Sequence, residues 1–373
     1  TDAAVDLSAS QIANFSPVER VEVRTQEVGS SEVDVELDVF EKPRWIAEVG
    51  GGWSTEKGFA ANFGLRDDNL LGRGVGLNLR GGWGSTERKI FLIGSLPPVP
   101  AGRLTLISTV GYLEGDAPDE PDLLDQEEKL FSLEAQYALT SRVQLGVYYR
   151  FTDTRTFEKE PDPFFPLDVR VKIGTVGTRA VVDKFDNLFD PRKGHSLTTD
   201  LGWSTEALGS DLDYVSWLSG FSLALTPFSG ATWLQTVRIG VAEPLKGQNL
   251  VRDARYFAGG QSSIRGFDLN SVGPLTFGVG DELVPAGGGA LFILNEELRI
   301  PIRGPLRAAV FADFGQVWES WRDAEFDFAI GVGLGIRWST PIGTLWADVA
   351  WPVADIGISS KKAKFYLGIG RPF

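Results

Sequence analysis

The chain has no cysteine and no methionine among its 373 residues, and only one histidine, His195. Without thiols there is neither a disulfide framework nor a thiolate metal site. The lone histidine follows Pro-Arg-Lys-Gly at an expected turn, where a solvated side chain is the simpler reading than a catalytic base. No Gly-x-Ser-x-Gly elbow, phosphate-binding loop or His-rich metal spacing occurs. The expectation is therefore no catalytic residue, no metal, no cofactor and no enzyme. Long apolar runs are also missing: none approaches the roughly 18 residues a membrane-spanning helix needs, and the mean hydropathy is −0.05. Nor is there a basic excess. Lys and Arg number 36 against 50 Asp and Glu, a net charge of −14, so no nucleic-acid partner is expected, since a polyanion would be repelled. The absence of methionine excludes nothing by itself. The first residue is Thr1 and no leader precedes it, which predicts a mature or trimmed fragment.

What the chain has is alternation. In Phe326–Trp338 the even positions are Phe326, Phe328, Ile330, Val332, Leu334, Ile336 and Trp338; the odd ones are Asp327, Ala329, three glycines and Arg337. Successive side chains of a strand point to opposite faces, so this segment has one apolar face and one small or charged face. Phe365–Phe373 repeats the pattern, with Phe365, Leu367, Ile369 and Phe373 on one side and Tyr366, Gly368 and Gly370 on the other. A soluble sandwich would cover its second face with Lys, Glu and Thr. A glycine-rich second face with isolated charges, and aromatics near strand ends, suits strands with lipid outside and a polar lumen inside.

Sixteen such segments follow Arg44, at about 44–53, 58–66, 74–84, 86–95, 103–113, 128–138, 142–153, 170–181, 195–205, 212–225, 231–243, 288–301, 306–318, 326–338, 344–354 and 363–373. Connections alternate in length. Long ones at 114–127, 154–169 and 244–287 fall on one parity; tight ones such as 139–142, 226–231, 303–306 and 339–344 fall on the other, with 67–74 modestly and 183–195 clearly longer. Long loops belong outside the cell and short turns in the periplasm. The expected fold is an all-β, 16-stranded antiparallel transmembrane barrel over 44–373 with both termini periplasmic. Acidic Asp116–Glu128 is expected to be a solvated extracellular loop. Residues 1–43 differ: valines alternate with Glu and Asp from Val21 to Val39. A lone hairpin is marginal in water, so this part reads as the end of a periplasmic α/β domain.

The long connection carries Ser-Ile-Arg-Gly-Phe, with Arg265 alone among apolar and glycine residues. In a polar lumen it calls for carboxylates. Glu297 shares a strand face with Asn295 and Arg299, and Asp313 one with Arg307 and Phe311. The expectation is that 244–287 folds into the lumen and Arg265 pairs with Glu297 and Asp313, as a structural clamp.

Several segments resemble the BamA/TamA superfamily of outer-membrane assembly factors. Ile264-Arg265-Gly266-Phe267 followed by Ser-Val-Gly-Pro is similar to that family's lumen-loop motif. The stretch from Trp45 to Gly74 resembles its first hairpin and turn, Asp186–Gly194 the turn before its ninth strand, and Leu306–Trp318 and Lys364–Phe373 its thirteenth and last strands. The hairpin before Arg44 resembles the end of a POTRA domain. The resemblance implies a lateral seam between first and last strands, formed by Trp45, Val49, Phe365, Leu367, Gly368, Ile369, Gly370 and Phe373, with a cross-link between 49 and 369 to lock it. Gly370 matches the family's kink position; Pro372 departs from the pattern and shortens the seam. Implied too are insertion of unfolded client barrels or autotransporters into the bacterial outer membrane and contacts with the lipid bilayer. Chaperones, lipoproteins or an inner-membrane partner would bind through POTRA domains. The alternatives are a pore exporting an unfolded polypeptide, as in two-partner secretion, and the barrel anchor of an upstream enzyme.

Overall fold

A computed structural model describes residues 18–27, 33–41, 43–55, 58–96, 103–117, 120–161, 163–164, 166–187, 190–228, 230–279, 282–325, 327–340, 343–354 and 362–369. Strands β1 (Val18–Glu27) and β2 (Val33–Glu41) form a separate hairpin. Its register puts Val21 opposite Val39 and Val23 opposite Leu37, so the alternating valines collect on one face. The helical part of the expected α/β module has no counterpart among the described residues.

The barrel begins with β3 (Trp45–Ser54), β4 (Gly58–Leu70), β5 (Val75–Gly84), β6 (Glu87–Ser95), β7 (Leu104–Asp116), β8 (Leu124–Thr140), β9 (Val143–Glu158), β10 (Asp168–Asp183), β11 (Gly194–Ser204), β12 (Tyr214–Leu225) and β13 (Thr232–Pro244). A long connection then carries a small hairpin, β14 (Leu275–Phe277) and β15 (Leu283–Pro285). The remaining staves are β16 (Ala290–Arg303), β17 (Leu306–Trp318), β18 (Ala329–Thr340), β19 (Gly343–Ala354) and β20 (Lys364–Ile369). Each pairs antiparallel with its chain neighbour, and β20 pairs with β3 to close a ring of sixteen. Closure leaves no free sheet edge except where this last pairing is short.

The alternation read from sequence appears as alternating burial. On β18, Ala329, Gly331, Gly333 and Arg337 face inward and are buried, while Leu334, Ile336 and Trp338 are exposed outside. Exposed tryptophans collect near strand ends. Trp53, Trp83, Trp203 and Trp217 lie toward the long-loop end, and Trp45, Trp233 and Trp338 toward the short-turn end. Two aromatic belts flanking an apolar band are what an indole needs at the two membrane interfaces. No helix of the described residues is long and apolar enough to cross a membrane; the strands do the crossing.

Two expectations need correction. Strands β8 and β9, Leu124–Thr140 and Val143–Glu158, run past their expected long-loop ends at about 128 and 153. Much of the acidic Asp116–Glu128 segment is accordingly ladder rather than loop. Asp116 faces Asp125 and Glu114 faces Glu127 across β7 and β8, with Lys159 Nζ placed 2.6 Å from Asp116 and 3.6 Å from Asp125. That ammonium offsets the repulsion that like charges directly opposite would produce.

Candidate functional site

The connection from β13 to β16 turns into the barrel. Ile264 and Phe267 are fully buried with Val272, Leu291, Ile293 and Val317, which anchors the loop by removing apolar side chains from water. Gly266 has φ +97°, and a Cβ there would stand 2.7 Å from the backbone carbonyl carbon of Trp351. Only glycine lets the chain turn this close to the β19 wall.

That turn delivers Arg265. Its Nε and Nη2 donate to the two oxygens of Asp313 at 2.7 and 3.0 Å, and its backbone N–H donates to Asp313 Oδ2 at 3.0 Å. Nη1 donates to Glu297 Oε2 at 3.1 Å and to Asp348 Oδ2 at 3.3 Å. The guanidinium carbon lies 3.4 Å from the Phe311 ring centroid, adding a cation–π contact. Arg337 reaches the same acids from β18, with Nη2 2.8 Å from Glu297 Oε2 and Nη1 2.5 Å from Asp348 Oδ1. Arg299 Nε donates to Glu297 Oε1 at 2.7 Å. Asn295 donates to Asp313 at 2.9 Å and to the Ser263 carbonyl at 2.6 Å.

The network continues toward the short-turn end. Asp190, in the connection between β10 and β11, accepts from Arg299 at 3.3 Å and Arg307 at 3.1 Å. Asp186 shapes that turn: its Oδ1 accepts backbone N–H groups of Asn187, Arg192 and Lys193. Burial pushes the Asp186 carboxyl up, but these donors outweigh it and hold it below the usual carboxylate range. Four arginines (265, 299, 307, 337) thus meet four carboxylates (190, 297, 313, 348). The set is charge-balanced and multiply hydrogen-bonded, the condition under which buried ions are tolerated. It contains no nucleophile and no acid–base pair with shifted roles, so it holds structure.

The glycines of the inner face make room for it. A Cβ on Gly331 would run into the Arg265 carbonyl oxygen, one on Gly333 into the Phe311 ring, and one on Gly335 into an Asp348 oxygen. On β17, a Cβ at Gly315 would lie 2.8 Å from Ile264 Cδ1. The glycine-rich face therefore seats the loop and the ions.

The other feature is the closure. Among the described residues β20 meets β3 at three register positions, Tyr366 with Ser54, Leu367 with Trp53 and Gly368 with Gly52, and Thr55 N–H donates to the Phe365 carbonyl at 3.1 Å. By contrast β16 and β17 pair from Ala290–Trp318 to Arg303–Leu306. Trp45 pairs with Asp67 and Val49 with Phe63, both on β4, and neither has a described partner on β20. Val49 is 86% exposed. Ile369 pairs with Leu345 on β19; one step past the Gly368–Gly52 pair, the same register extended would set it opposite Gly51, two residues away from Val49. Gly370 and Phe373 lie outside the described residues. Gly368 is hemmed in, since a Cβ would be 2.7 Å from the buried Trp346 ring. The loop also touches the closing strand. Tyr366 Oη accepts the Gly266 N–H at 3.1 Å, and Lys364 forms an ion pair with Asp268.

Asp348, Arg337, Asp190 and Tyr366 were not singled out from sequence. Arg337 could have been, as the one charge on the glycine face of β18; Asp348 and Tyr366 share the inward parity of their strands. For Asp190 nothing local gives the signal.

Residues 69–373 match the Omp85 superfamily domain. The outer membrane protein assembly factor BamA of Neorickettsia risticii is 25% identical over 393 aligned positions, covering 98% of this chain and 50% of that protein. The chain thus spans about half the length of that curated relative. The crystal structure of BamA from Haemophilus ducreyi lacking POTRA domains 1–3 superposes with a TM-score of 0.81 at 19% identity, over 99% of this chain and 79% of that one. CdiB from Acinetobacter baumannii gives 0.64 at 12% identity, over 96% and 67%. Together with a closed sixteen-stranded barrel, the family match leads to one conclusion: this chain belongs to the Omp85 superfamily.

Proposed function

We propose that this chain is the barrel of a non-enzymatic bacterial outer-membrane assembly factor that passes client β-strands into the bilayer through the seam between β3 and β20. The observation that carries the proposal is the disparity, among the described residues, between a three-position seam and the long ladders elsewhere. Opening the seam breaks few backbone hydrogen bonds and frees the edge of β3, which then templates an incoming strand by β-augmentation. No nucleotide is needed. Moving apolar strand faces into lipid and satisfying backbone hydrogen bonds supplies the free energy. The relationship to the BamA assembly factor supports outer-membrane insertion over other uses of the fold. In this reading both termini face the periplasm, the β1–β2 hairpin closes a POTRA domain, and periplasmic chaperones, lipoproteins or an inner-membrane protein contact the module on that side.

The register indicates how to test it. Trp53 and Leu367 are direct cross-strand partners, and the chain has no native cysteine. The double variant Trp53→Cys/Leu367→Cys, oxidised in proteoliposomes, should lose insertion of a urea-unfolded client barrel and regain it on reduction. Undiminished insertion by the locked protein would overturn the lateral route. A second reading, export of an unfolded chain through the lumen, draws on the likeness to CdiB. It requires the 245–289 connection to leave the lumen, so it predicts large conductance steps in planar bilayers from the native protein. The plugged lumen predicts small ones.

A further inference from the structure

Two of the outward-facing glutamates of the barrel wall, Glu243 and Glu296, differ in one respect. Glu243, at the long-loop end of β13, accepts from the Trp321 indole at 3.1 Å and from Arg322 at 2.7 Å. Glu296, on the outward face of β16, accepts from the Trp233 indole and from the Gln235 amide, each at 2.5 Å. These are two neutral donors and no cation. The outward positions of the surrounding strands supply none either. From Trp233 to Val241, Phe292 to Ile302, Leu306 to Phe314 and Ile330 to Trp338, those positions carry no Lys or Arg.

Charge on a lipid-facing wall is costly unless paired. Two neutral hydrogen bonds fill acceptor sites and leave the charge uncompensated. Glu296 sits one outward position from Leu298, the direct partner of the belt residue Trp233, and three from the level of Trp338. Beside it the wall is hollow. Ala312 is the direct neighbour of Glu296 on β17, followed around the barrel by Val332 and Trp351. The small Ala312 side chain floors a groove of about 590 Å³ running between Trp233 and Trp351. It opens to the outside, and apart from Glu296 and the inward-turned Glu297 its lining is apolar.

We propose that this groove binds one bilayer lipid with an ammonium headgroup. The ammonium lies against Glu296, in the place that Arg322 occupies at Glu243, and one acyl chain lies over Ala312. The Trp233 indole holds the carboxylate toward the headgroup layer and offers its ring face to the same cation. A zwitterionic phosphatidylethanolamine has this chemistry. An anionic phosphatidylglycerol lacks the cation, and phosphatidylcholine carries one that cannot donate a hydrogen bond.

The test is native mass spectrometry of the full chain, released from detergent micelles containing equimolar phosphatidylethanolamine, phosphatidylglycerol and phosphatidylcholine. Wild type should retain phosphatidylethanolamine about tenfold over the other two, the size of one charge-assisted hydrogen bond. Glu296→Gln should abolish that preference. Ala312→Phe, which fills the groove, should lower retention of all three, and glycerophosphoethanolamine, a headgroup without chains, should not compete. Thermal melts of both variants report whether they fold. Equal retention of the three lipids by wild type, or an unchanged preference in folded Glu296→Gln, would overturn the proposal. So would a photo-crosslinker at position 312 that, in native membranes, yields a protein adduct in place of a phospholipid adduct.

Discussion

The β16–β19 wall and the β20–β3 seam are made of the same kind of strand, yet they are held in opposite ways. The wall has long ladders, an inner face cleared by Gly331, Gly333 and Gly335, and a guanidinium from another part of the chain laid into it. Among the described residues the seam has three register positions and a glycine run, Gly50–Gly52, on one side. The wall is stiffened by a tertiary clamp that spans four strands, and no charged residue of that clamp lies on β3. A barrel built this way concentrates its weakness at one line. The clamp also reaches that line, because Gly266 and Asp268 beside Arg265 contact Tyr366 and Lys364 on the closing strand.

Breaking the clamp should have the largest effect. Asp313→Asn removes the carboxylate that takes two guanidinium hydrogen bonds from Arg265, leaving a buried cation short of a partner. The expected loss is about 3–5 kcal/mol, read as a lower urea midpoint for the heat-modifiable folded band in gel shifts. Gly331→Val overfills the seat of the loop and should cost about 1–3 kcal/mol in the same assay while leaving every charge in place. Tyr366→Phe tests the link between clamp and seam. Losing one hydrogen bond to the Gly266 N–H should cost about 1 kcal/mol. Its effect should appear as faster amide exchange in β20 and the end of β3, with β16–β19 unchanged. The smallest effect belongs to Asp186. A depressed carboxyl contributes stability above its unfolded value and loses it as pH falls through the folded one. Exchange in 186–194 should therefore accelerate on acidification below the usual carboxylate range, and Asp186→Asn should remove most of that dependence.

The sixteen strands were legible because a wall with lipid on one side and a lumen on the other must alternate. Their far ends were not. Past the hydrocarbon both faces are wet and apolar alternation is no longer required, so Glu127 in β8, Arg155 in β9 and Asp168 in β10 read as loop. Parity placed Glu297 and Asp313 on the inner face, and the structure sets Arg265 between them. Parity could not say that Asp348 and Arg337 share the same depth, because that depends on how the staves are staggered around the closed barrel. The seam register escaped for a related reason. A slip of two residues preserves which side chains face out, so Val49 opposite Ile369 and Gly51 opposite Ile369 are equivalent by pattern. Asp190 depends on a turn folding back under the barrel, which no periodicity encodes.

Burial of the four-by-four charge cluster has a consequence for how the barrel responds to its surroundings. Mobile ions screen charges that water can reach, over about 8–10 Å at ordinary ionic strength. Exposed pairs such as Arg155–Asp168 therefore weaken as salt rises. Arg265, Arg337, Glu297, Asp313 and Asp348 lie where counter-ions do not enter, and with Arg299, Arg307 and Asp190 the charges of the cluster cancel. The grip on the lumen loop is thus indifferent to the changing salinity outside a cell, while the acidic rim around it is not.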